Sequence, residues 1–134
     1  MSRIVVVEDN AANLELLRYL LAAHGHTVEC ASDGEDGLRV AKAFRPDVVL
    51  CDLQMPRLNG YGLLKKIRAD PDLADMTVVA VTAYSMPGDR LRVVEAGFDG
   101  YLTKPIAPES VVVEIEGFIA RRSSESQASH GTDR

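Results

Sequence analysis

The hydrophobic residues of this chain fall into two kinds of segment. Short continuous runs rich in β-branched residues occupy residues 4–7, 47–51 and 77–82, with weaker examples at 27–31 and 100–102. They are too short for helices and apolar on both faces, which is typical of parallel strands that lie between two layers of helices. The pattern therefore predicts five buried strands.

Each predicted strand is followed by a segment of helical length. These segments begin or end at glycine, proline or capping residues and cover residues 10–24, 34–44, 60–69, 87–96 and 108–122. A strand and a helix repeated five times predict an α/β fold, in which a parallel sheet carries helices on both faces. We expect residues 1–122 to form one domain and the Ser-rich residues 123–134 to form a disordered polar tail.

Composition narrows the class of protein. Of the 134 residues, 46% are hydrophobic and 26% charged, as in ordinary globular proteins, and the net charge of −5 argues against a nucleic-acid-binding surface. No apolar run reaches the roughly 18 residues of a membrane span, and the amino terminus lacks the pattern of a signal peptide. We therefore expect a cytoplasmic protein without membrane insertion. In that compartment Cys30 and Cys51 are expected to be small, buried hydrophobic residues, with a disulfide between them as the alternative.

Polar side chains follow four of the predicted strands. In an open α/β sheet, ligands bind beyond the carboxyl ends of the strands, so these residues are expected to meet at one edge. The set comprises Glu8, Asp9 and Asn10 after the first strand, Asp52 after the third, Thr82 at the end of the fourth, and Thr103 and Lys104 after the fifth.

Three carboxylates crowded at one edge favour a bound cation. Two unit charges 4 Å apart repel by about 4 kcal/mol at an effective dielectric near 20, so Glu8, Asp9 and Asp52 require a cation or raised pKa values. A hard divalent ion with oxygen ligands fits such a cluster, and Mg²⁺ is the first choice. The alternative interpretation is that Asp9 or Asn10 caps the following helix, and the two roles are compatible.

Asp52 follows a run that is predicted to be buried, where an isolated acid needs a reason to be present. A carboxylate can attack phosphorus and form an acyl phosphate. Lys104 would offer a point charge, and the Thr82 hydroxyl a hydrogen bond, to the phosphoryl oxygens. Taken singly, Thr82 is equally an ordinary strand residue and Lys104 an ordinary surface lysine, so their arrival at one edge is the informative feature.

With these residues in place, the chain resembles the receiver domains of bacterial two-component response regulators over about residues 3–120. The matching pieces are Val7-Glu8-Asp9-Asn10, the D-x-x-M-P-x-x-x-G segment of residues 52–60, Val81-Thr82-Ala83, residues 97–102, and Thr103-Lys104-Pro105. The resemblance implies a flavodoxin-like, doubly wound (βα)5 fold with strand order 2-1-3-4-5. It also implies a phospho-accepting switch of the single-domain type.

The resemblance implies a metal set and a phosphorylation site. Asp52 would be the phosphoacceptor. Asp9, Asp52 and the backbone carbonyl of Gln54 would ligate Mg²⁺, and Glu8 would act mainly through water.

The resemblance implies further roles next to the phosphoryl group. Thr82 and Lys104 would hold the phosphoryl oxygens, and Ala83 would leave room for them. Tyr101 would be a switch aromatic that turns inward when Thr82 moves, or alternatively a packing residue of an edge strand. The peptide bond that precedes Pro105 would be cis.

The implied function is signalling rather than metabolism. The domain would take its phosphoryl group from a histidine kinase or a histidine phosphotransfer protein and hydrolyse it slowly, with Gln54 and Tyr84 tuning that rate. Phosphorylation would shift the face made by the fourth helix, fifth strand and fifth helix. Because residues 123–134 are too few for a DNA-binding unit, we expect a downstream protein as target.

Three rival interpretations fit less well. A haloacid-dehalogenase-type phosphohydrolase also uses an aspartate nucleophile and magnesium, but it needs an acid where this chain has Gln54, which cannot supply a proton. A nucleotide-binding flavodoxin-like module would need glycines, not Glu8 and Asp9, in its first turn. A receiver without chemistry would be expected to lack one of the acids.

The first predicted helix carries two apolar stripes. Leu17, Leu20, Leu21 and His24 form a core stripe, with Leu14 at its edge, and a second stripe contains Ala12, Leu16, Tyr19 and Ala23. A helix on the outside of a sheet needs one such stripe, so the second predicts a docking surface for the phosphodonor that includes Leu16 and Tyr19. Burial by neighbouring helices or a homodimer would explain the same stripe.

Overall fold

The sheet of this computed structural model is parallel and five-stranded within the residues that the structure describes, which are 2–55, 58–83 and 87–132. Its strands are β1 (Arg3–Val7), β2 (Thr27–Ala31), β3 (Val48–Asp52), β4 (Thr77–Thr82) and β5 (Gly100–Thr103). They lie in the order β2-β1-β3-β4-β5, and every neighbouring pair is parallel. The predicted doubly wound, flavodoxin-like fold is confirmed.

Five helices connect and follow the strands in the described part of the chain. They are α1 (Ala11–Ala23), α2 (Gly34–Phe44), α3 (Gly60–Ala69), α4 (Pro87–Ala96) and α5 (Val111–Thr132). The first three begin at side chains that accept a hydrogen bond from the first turn: Asn10 from the Asn13 N–H, Asp33 from the Asp36 N–H and Asn59 from the Gly62 N–H. Such caps satisfy amide groups that the helix cannot bond internally.

Two hydrophobic layers cover the faces of the sheet. Helices α1 and α5 pack on one face, where Leu17, Leu21 and Ile115 contact inward-facing residues of β1, β3 and β4. Helices α2, α3 and α4 pack on the other face around Leu63 and Val93. Because both faces are covered, the central strands β3 and β4 are buried along their whole length.

Helix α5 differs from its prediction at both ends. It begins at Val111 because residues 108–110 form a turn in which the Ser110 N–H donates to the carbonyl of Ala107. Its helical backbone continues to Thr132 through the segment predicted to be disordered, and residues 118–130 contain no glycine or proline that would end a helix. The domain boundary at residue 122 stays a prediction.

One residue of the predicted core stripe lies outside the core. Leu17 and Leu21 are buried as expected, whereas His24 is exposed and its Nδ1 lies 2.9 Å from the carbonyl oxygen of Leu20. His24 is the C-cap of α1, so the helix ends before this side chain can turn toward the sheet. Cys30 and Cys51 are both free thiols, and Cys51 is buried as predicted whereas Cys30 is only half-buried. None of the helices in the described ranges is long and apolar enough to cross a membrane.

Candidate functional site

Acidic and basic side chains converge at the carboxyl edge of the sheet. Glu8 and Asp9 follow β1, Asp52 is the last residue of β3, and Lys104 follows β5. The carboxylates of Glu8, Asp9 and Asp52 each place an oxygen within 4.8 Å of the other two. The register of the parallel strands brings these chain ends level, because Val7 of β1 pairs with Cys51, the residue before Asp52.

The Lys104 ammonium lies between two of these carboxylates. Its Nζ is 2.9 Å from Oδ2 of Asp52 and 3.2 Å from Oε1 of Glu8. Asp52 and Glu8 are only 5% and 1% exposed, so each ionised carboxylate depends on such a partner. Burial lowers the pKa of Lys104, but the hydrogen bond to Asp52 and the charges of Glu8 and Asp52 outweigh it, so the pKa is raised.

Burial disfavours the ionised form of Glu8 in this cluster. Burial, followed by a hydrogen bond shared with Asp52, raises the pKa of Glu8 to about 7, and the N–H of Asn10 opposes this only in part. Among the described residues, Oε1 of Glu8 is fully buried without a hydrogen-bond donor, although Lys104 lies within ion-pair distance. Three carboxylates close together, two of which share the Lys104 ammonium, fit a site for a hard cation with oxygen ligands, such as Mg²⁺.

We expect Glu8→Gln to stabilise the metal-free protein, and to do so more strongly at about pH 8 than at about pH 5. A raised pKa means that the folded protein keeps a proton on Glu8 that the unfolded chain has lost. Stability therefore falls as the pH rises from the ordinary carboxyl pKa through the raised value. The glutamine side chain of the variant cannot ionise and escapes this loss. Urea denaturation in EDTA at both pH values measures the difference.

Glu95→Gln on α4 is the matched control for this prediction, because Glu95 is exposed and remote from the cluster. A Glu8→Gln midpoint equal to or below that of the wild type at about pH 8 would contradict the prediction. It would mean that the charge of Glu8 is already compensated without metal.

The two roles proposed for the first turn belong to different residues. Asn10 caps α1 with its side chain, since Oδ1 accepts the N–H of Asn13 at 3.0 Å. Asp9 is exposed, and its carboxylate belongs to the acidic cluster instead. The backbone N–H of Asn10 also donates to Oε2 of Glu8 at 3.1 Å, which turns that carboxylate toward the site.

The loop after β3 orients the Asp52 carboxylate. The backbone N–H of Gln54 donates to Oδ1 of Asp52 at 3.0 Å, while the Gln54 side chain is exposed. Gly60, which begins α3, packs directly on this strand end, because a Cβ there would lie 2.6 Å from the carbonyl oxygen of Asp52. The glycine of the D-x-x-M-P-x-x-x-G segment is therefore required by close backbone approach. Pro56 and Arg57 of that segment lie outside the described residues.

Thr82 and the residues after β5 complete the edge. Thr82 is buried, and its carbonyl oxygen accepts the N–H of Lys104 at 2.8 Å, which ties the loops after β4 and β5 together. The peptide bond between Lys104 and Pro105, for which the resemblance implies a cis geometry, is cis. Ala83 is exposed at this edge, whereas Tyr84 lies outside the described residues.

The two residues predicted to dock a phosphodonor differ in exposure. Tyr19 is 71% exposed on α1, whereas Leu16 is half-buried and packs against the hydrophobic layer under α1 and α5. Tyr19 is thus a surface residue, whereas Leu16 is partly exposed and partly packed against the core.

Sequence reasoning missed the role of Asp99. Its carboxylate accepts hydrogen bonds from the guanidinium of Arg68 at 3.0 Å and from the backbone N–H of Val78 at 2.8 Å. Asp99 therefore anchors the turn that leads into β5. Arg68 also donates to the carbonyl oxygen of Gly97. No local sequence pattern signals this role, because both partners of the carboxylate are distant along the chain.

Comparison with known proteins agrees with this geometry. The family described as the response regulator receiver domain matches residues 4–116. The polar-differentiation response regulator DivK of Brucella anthropi is 34% identical, over 87% of this chain and 94% of that protein.

Solved structures show the same similarity. A receiver domain of a sensor histidine kinase from Pseudomonas aeruginosa has a TM-score of 0.80 and 31% identity, covering 89% of this chain and 98% of that one. That structure has a magnesium ion coordinated in its active-site cleft. A response regulator from Chloroflexus aurantiacus has a TM-score of 0.83 and 28% identity, with coverage of 89% and 98%.

Proposed function

Because the chain belongs to the response regulator receiver domain family, we propose that Asp52 accepts a phosphoryl group from a phosphorylated histidine. The donor would be a histidine kinase or a histidine phosphotransfer protein, and a downstream protein would read the phosphorylated state. Receiver domains are signalling switches rather than metabolic enzymes. We place this one in the cytoplasm, where free thiols such as Cys30 and Cys51 are the rule.

The arrangement of Asp52 carries this proposal. One oxygen, Oδ1, is held by the N–H of Gln54, and the other, Oδ2, lies 2.9 Å from the Lys104 ammonium. An Asp52 oxygen would attack phosphorus while the bond from phosphorus to the donor imidazole nitrogen breaks and its electron pair returns to the ring. The Lys104 ammonium and the Thr82 hydroxyl would then pair with phosphoryl oxygens.

The acidic cluster would hold Mg²⁺. Asp9, Asp52 and the backbone carbonyl of Gln54 would be its protein ligands, with Glu8 acting through water. When bound, the ion would supply positive charge for the phosphoryl oxygens. The buried Oε1 of Glu8 and the mutual distances of the three carboxylates support this assignment.

The proposed output follows from Thr82. Contact with the phosphoryl group would draw Thr82 and Lys104 toward Asp52, and Tyr101 would move inward as Thr82 leaves its position. The face of α4, β5 and α5 would change, and its two helices carry the exposed apolar side chains of Leu91, Val94 and Val113. The domain would sample both states, with the phosphoryl group biasing the balance until slow hydrolysis removes it.

Intact-mass spectrometry tests the proposal directly. After incubation with acetyl phosphate and Mg²⁺, the chain should gain the mass of one phosphoryl group, and peptide mapping should locate it on Asp52. Label on another residue, or no label, would contradict the assignment.

We expect Tyr19→Ser to slow phosphotransfer from the cognate histidine protein by roughly tenfold, because a large exposed aromatic on the helix that follows Glu8 and Asp9 is a typical interface anchor. Labelling by acetyl phosphate, which needs no docking, should be unchanged. Rapid-quench phosphotransfer kinetics and acetyl-phosphate labelling give the two rates. Leu16→Glu should act in the same direction, with its fold checked by circular dichroism because Leu16 is half-buried.

Val113→Ser is the control for docking, since Val113 is 70% exposed on a different helix. Val113→Ser should receive the phosphoryl group at the wild-type rate. If Tyr19→Ser also does so, the donor docks elsewhere. If Tyr19→Ser loses both activities equally, it damages the site rather than the docking.

A further inference from the structure

A cationic side chain covers the proposed switch aromatic. The guanidinium carbon of Arg90, in the first half of α4, lies 5.4 Å from the ring centroid of Tyr101 in β5. This is within the roughly 6 Å over which a cation attracts the face of an aromatic ring. Arg90 is exposed and Tyr101 is half-buried, so the contact lies at the surface of the α4 and β5 face.

The sheet places this ring next to Thr82. Ala80 of β4 pairs with Tyr101 of β5, and Thr82 pairs with Thr103. Side chains two residues apart on a strand point to the same face of the sheet, so Ala80 and Thr82 share a face. Tyr101 pairs with Ala80, so Tyr101 and Thr82 also lie on one face, two residues apart along the strand direction. Space for the ring to move inward therefore depends on Thr82. The ring is half-buried in this structure and in contact with Arg90, and we call this position the outer one.

In the described part of the chain, the ring of Tyr101 is the one partner found for the Arg90 guanidinium. An inward movement of the ring would separate it from Arg90, whose head group stays on the outer surface of α4. The contact is thus present in one state of Tyr101 and lost in the other. An interaction that differs between two states shifts their equilibrium by its own free energy.

We propose that Arg90 is a positioning residue that holds Tyr101 in its outer position in the unphosphorylated domain. Loss of the guanidinium raises the population of the inward, phosphorylated-like state about two- to fivefold, which corresponds to one exposed cation–π contact. Phosphorylation releases Arg90 from the ring. This inference rests on the proposed function, because it takes Tyr101 as the switch.

The test uses the full chain labelled with 3-fluorotyrosine and observed by fluorine NMR. The chain contains four tyrosines, and Tyr101→Phe assigns the Tyr101 resonance. Arg90→Gln removes the charge, Arg90→Lys keeps a cation that stacks less well, and Arg92→Gln is the control, an exposed arginine on the same helix.

In the absence of any phosphoryl group, the Tyr101 resonance of Arg90→Gln should shift toward its position in beryllofluoride-treated wild type. The concentration of beryllofluoride at half-saturation should fall about two- to fivefold, because the same cation–π contact no longer opposes the inward state. Arg90→Lys should lie between Arg90→Gln and the wild type, and Arg92→Gln should match the wild type. A Tyr101 resonance in Arg90→Gln that matches Arg92→Gln, or that shifts the other way, overturns the inference.

Failure of the proposed function would give a different result. In that case beryllofluoride would leave the Tyr101 resonance of the wild type unchanged, whatever the effect of Arg90→Gln. A beryllofluoride response in the wild type together with an inert Arg90→Gln would reject the role of Arg90 alone.

Discussion

Asp52→Asn should abolish phosphorylation by acetyl phosphate while leaving the fold intact. The amide oxygen of asparagine is a far weaker nucleophile than a carboxylate oxygen, so no acyl phosphate forms. Asparagine has nearly the same volume and can still accept the N–H of Gln54, so the buried position tolerates it. Phosphate-affinity gels and intact-mass spectrometry on the two proteins measure the labelled fraction.

Asp75→Asn provides the matched control, because Asp75 is exposed and lies just before the amino end of β4, at the opposite edge of the sheet. It should be labelled as fully as the wild type. An Asp52→Asn protein that is labelled to the same extent would show that another residue accepts the phosphoryl group. Loss of label in both variants would point to a general defect instead.

Asp9→Asn should weaken Mg²⁺ binding by at least about tenfold, which is the scale expected when a charged group of a metal site is neutralised. The carboxylates of Glu8, Asp9 and Asp52 surround one small volume, and Asp9 is the most exposed of them. Its removal takes one negative charge from that volume while the buried ion pairs of Lys104 remain. Calorimetric titration with MgCl₂ measures the affinity without any phosphorylation step.

Phosphorylation of the wild type should in turn require Mg²⁺ and stop in EDTA. Asp75→Asn again serves as the control and should bind Mg²⁺ as the wild type does. Equal affinities for Asp9→Asn and the wild type would exclude Asp9 as a ligand. Labelling that persists in EDTA would show that Lys104 and Thr82 stabilise the phosphoryl group without a metal.

Both predictions concern charges that the fold holds close together at a cost. Asp52 and Glu8 are buried with one shared ammonium, and the pKa of Glu8 is raised to about 7 by that burial. Charges arranged in this way lower the stability of the fold, but they allow the site to bind a cation and then an anion. The gain in stability that we expect for Glu8→Gln without metal measures this loss.

The sequence by itself determined the order of the strands and helices and most of their bounds, although not the two ends of α5. Strands β3 and β4 were predicted within one residue because strands buried on both faces must be continuously apolar. Helices α2 and α3 were predicted without error, since Pro46 and Pro71 follow them closely, and in the structure Asp33 and Asn59 cap them. The site edge was also predictable, since parallel strands bring their carboxyl ends to one side of the sheet.

The tertiary structure decided which side chains contact each other there. Periodicity could not separate exposed Tyr19 from half-buried Leu16, because the width of the buried arc of α1 depends on how α5 packs beside it. The pairing of Lys104 with both Glu8 and Asp52, and the position of Arg90 over Tyr101, join residues from different elements. Such contacts arise only when the strands pair in a defined register and the helices dock on the sheet at defined positions, because no local pattern of hydrophobic residues encodes those distances.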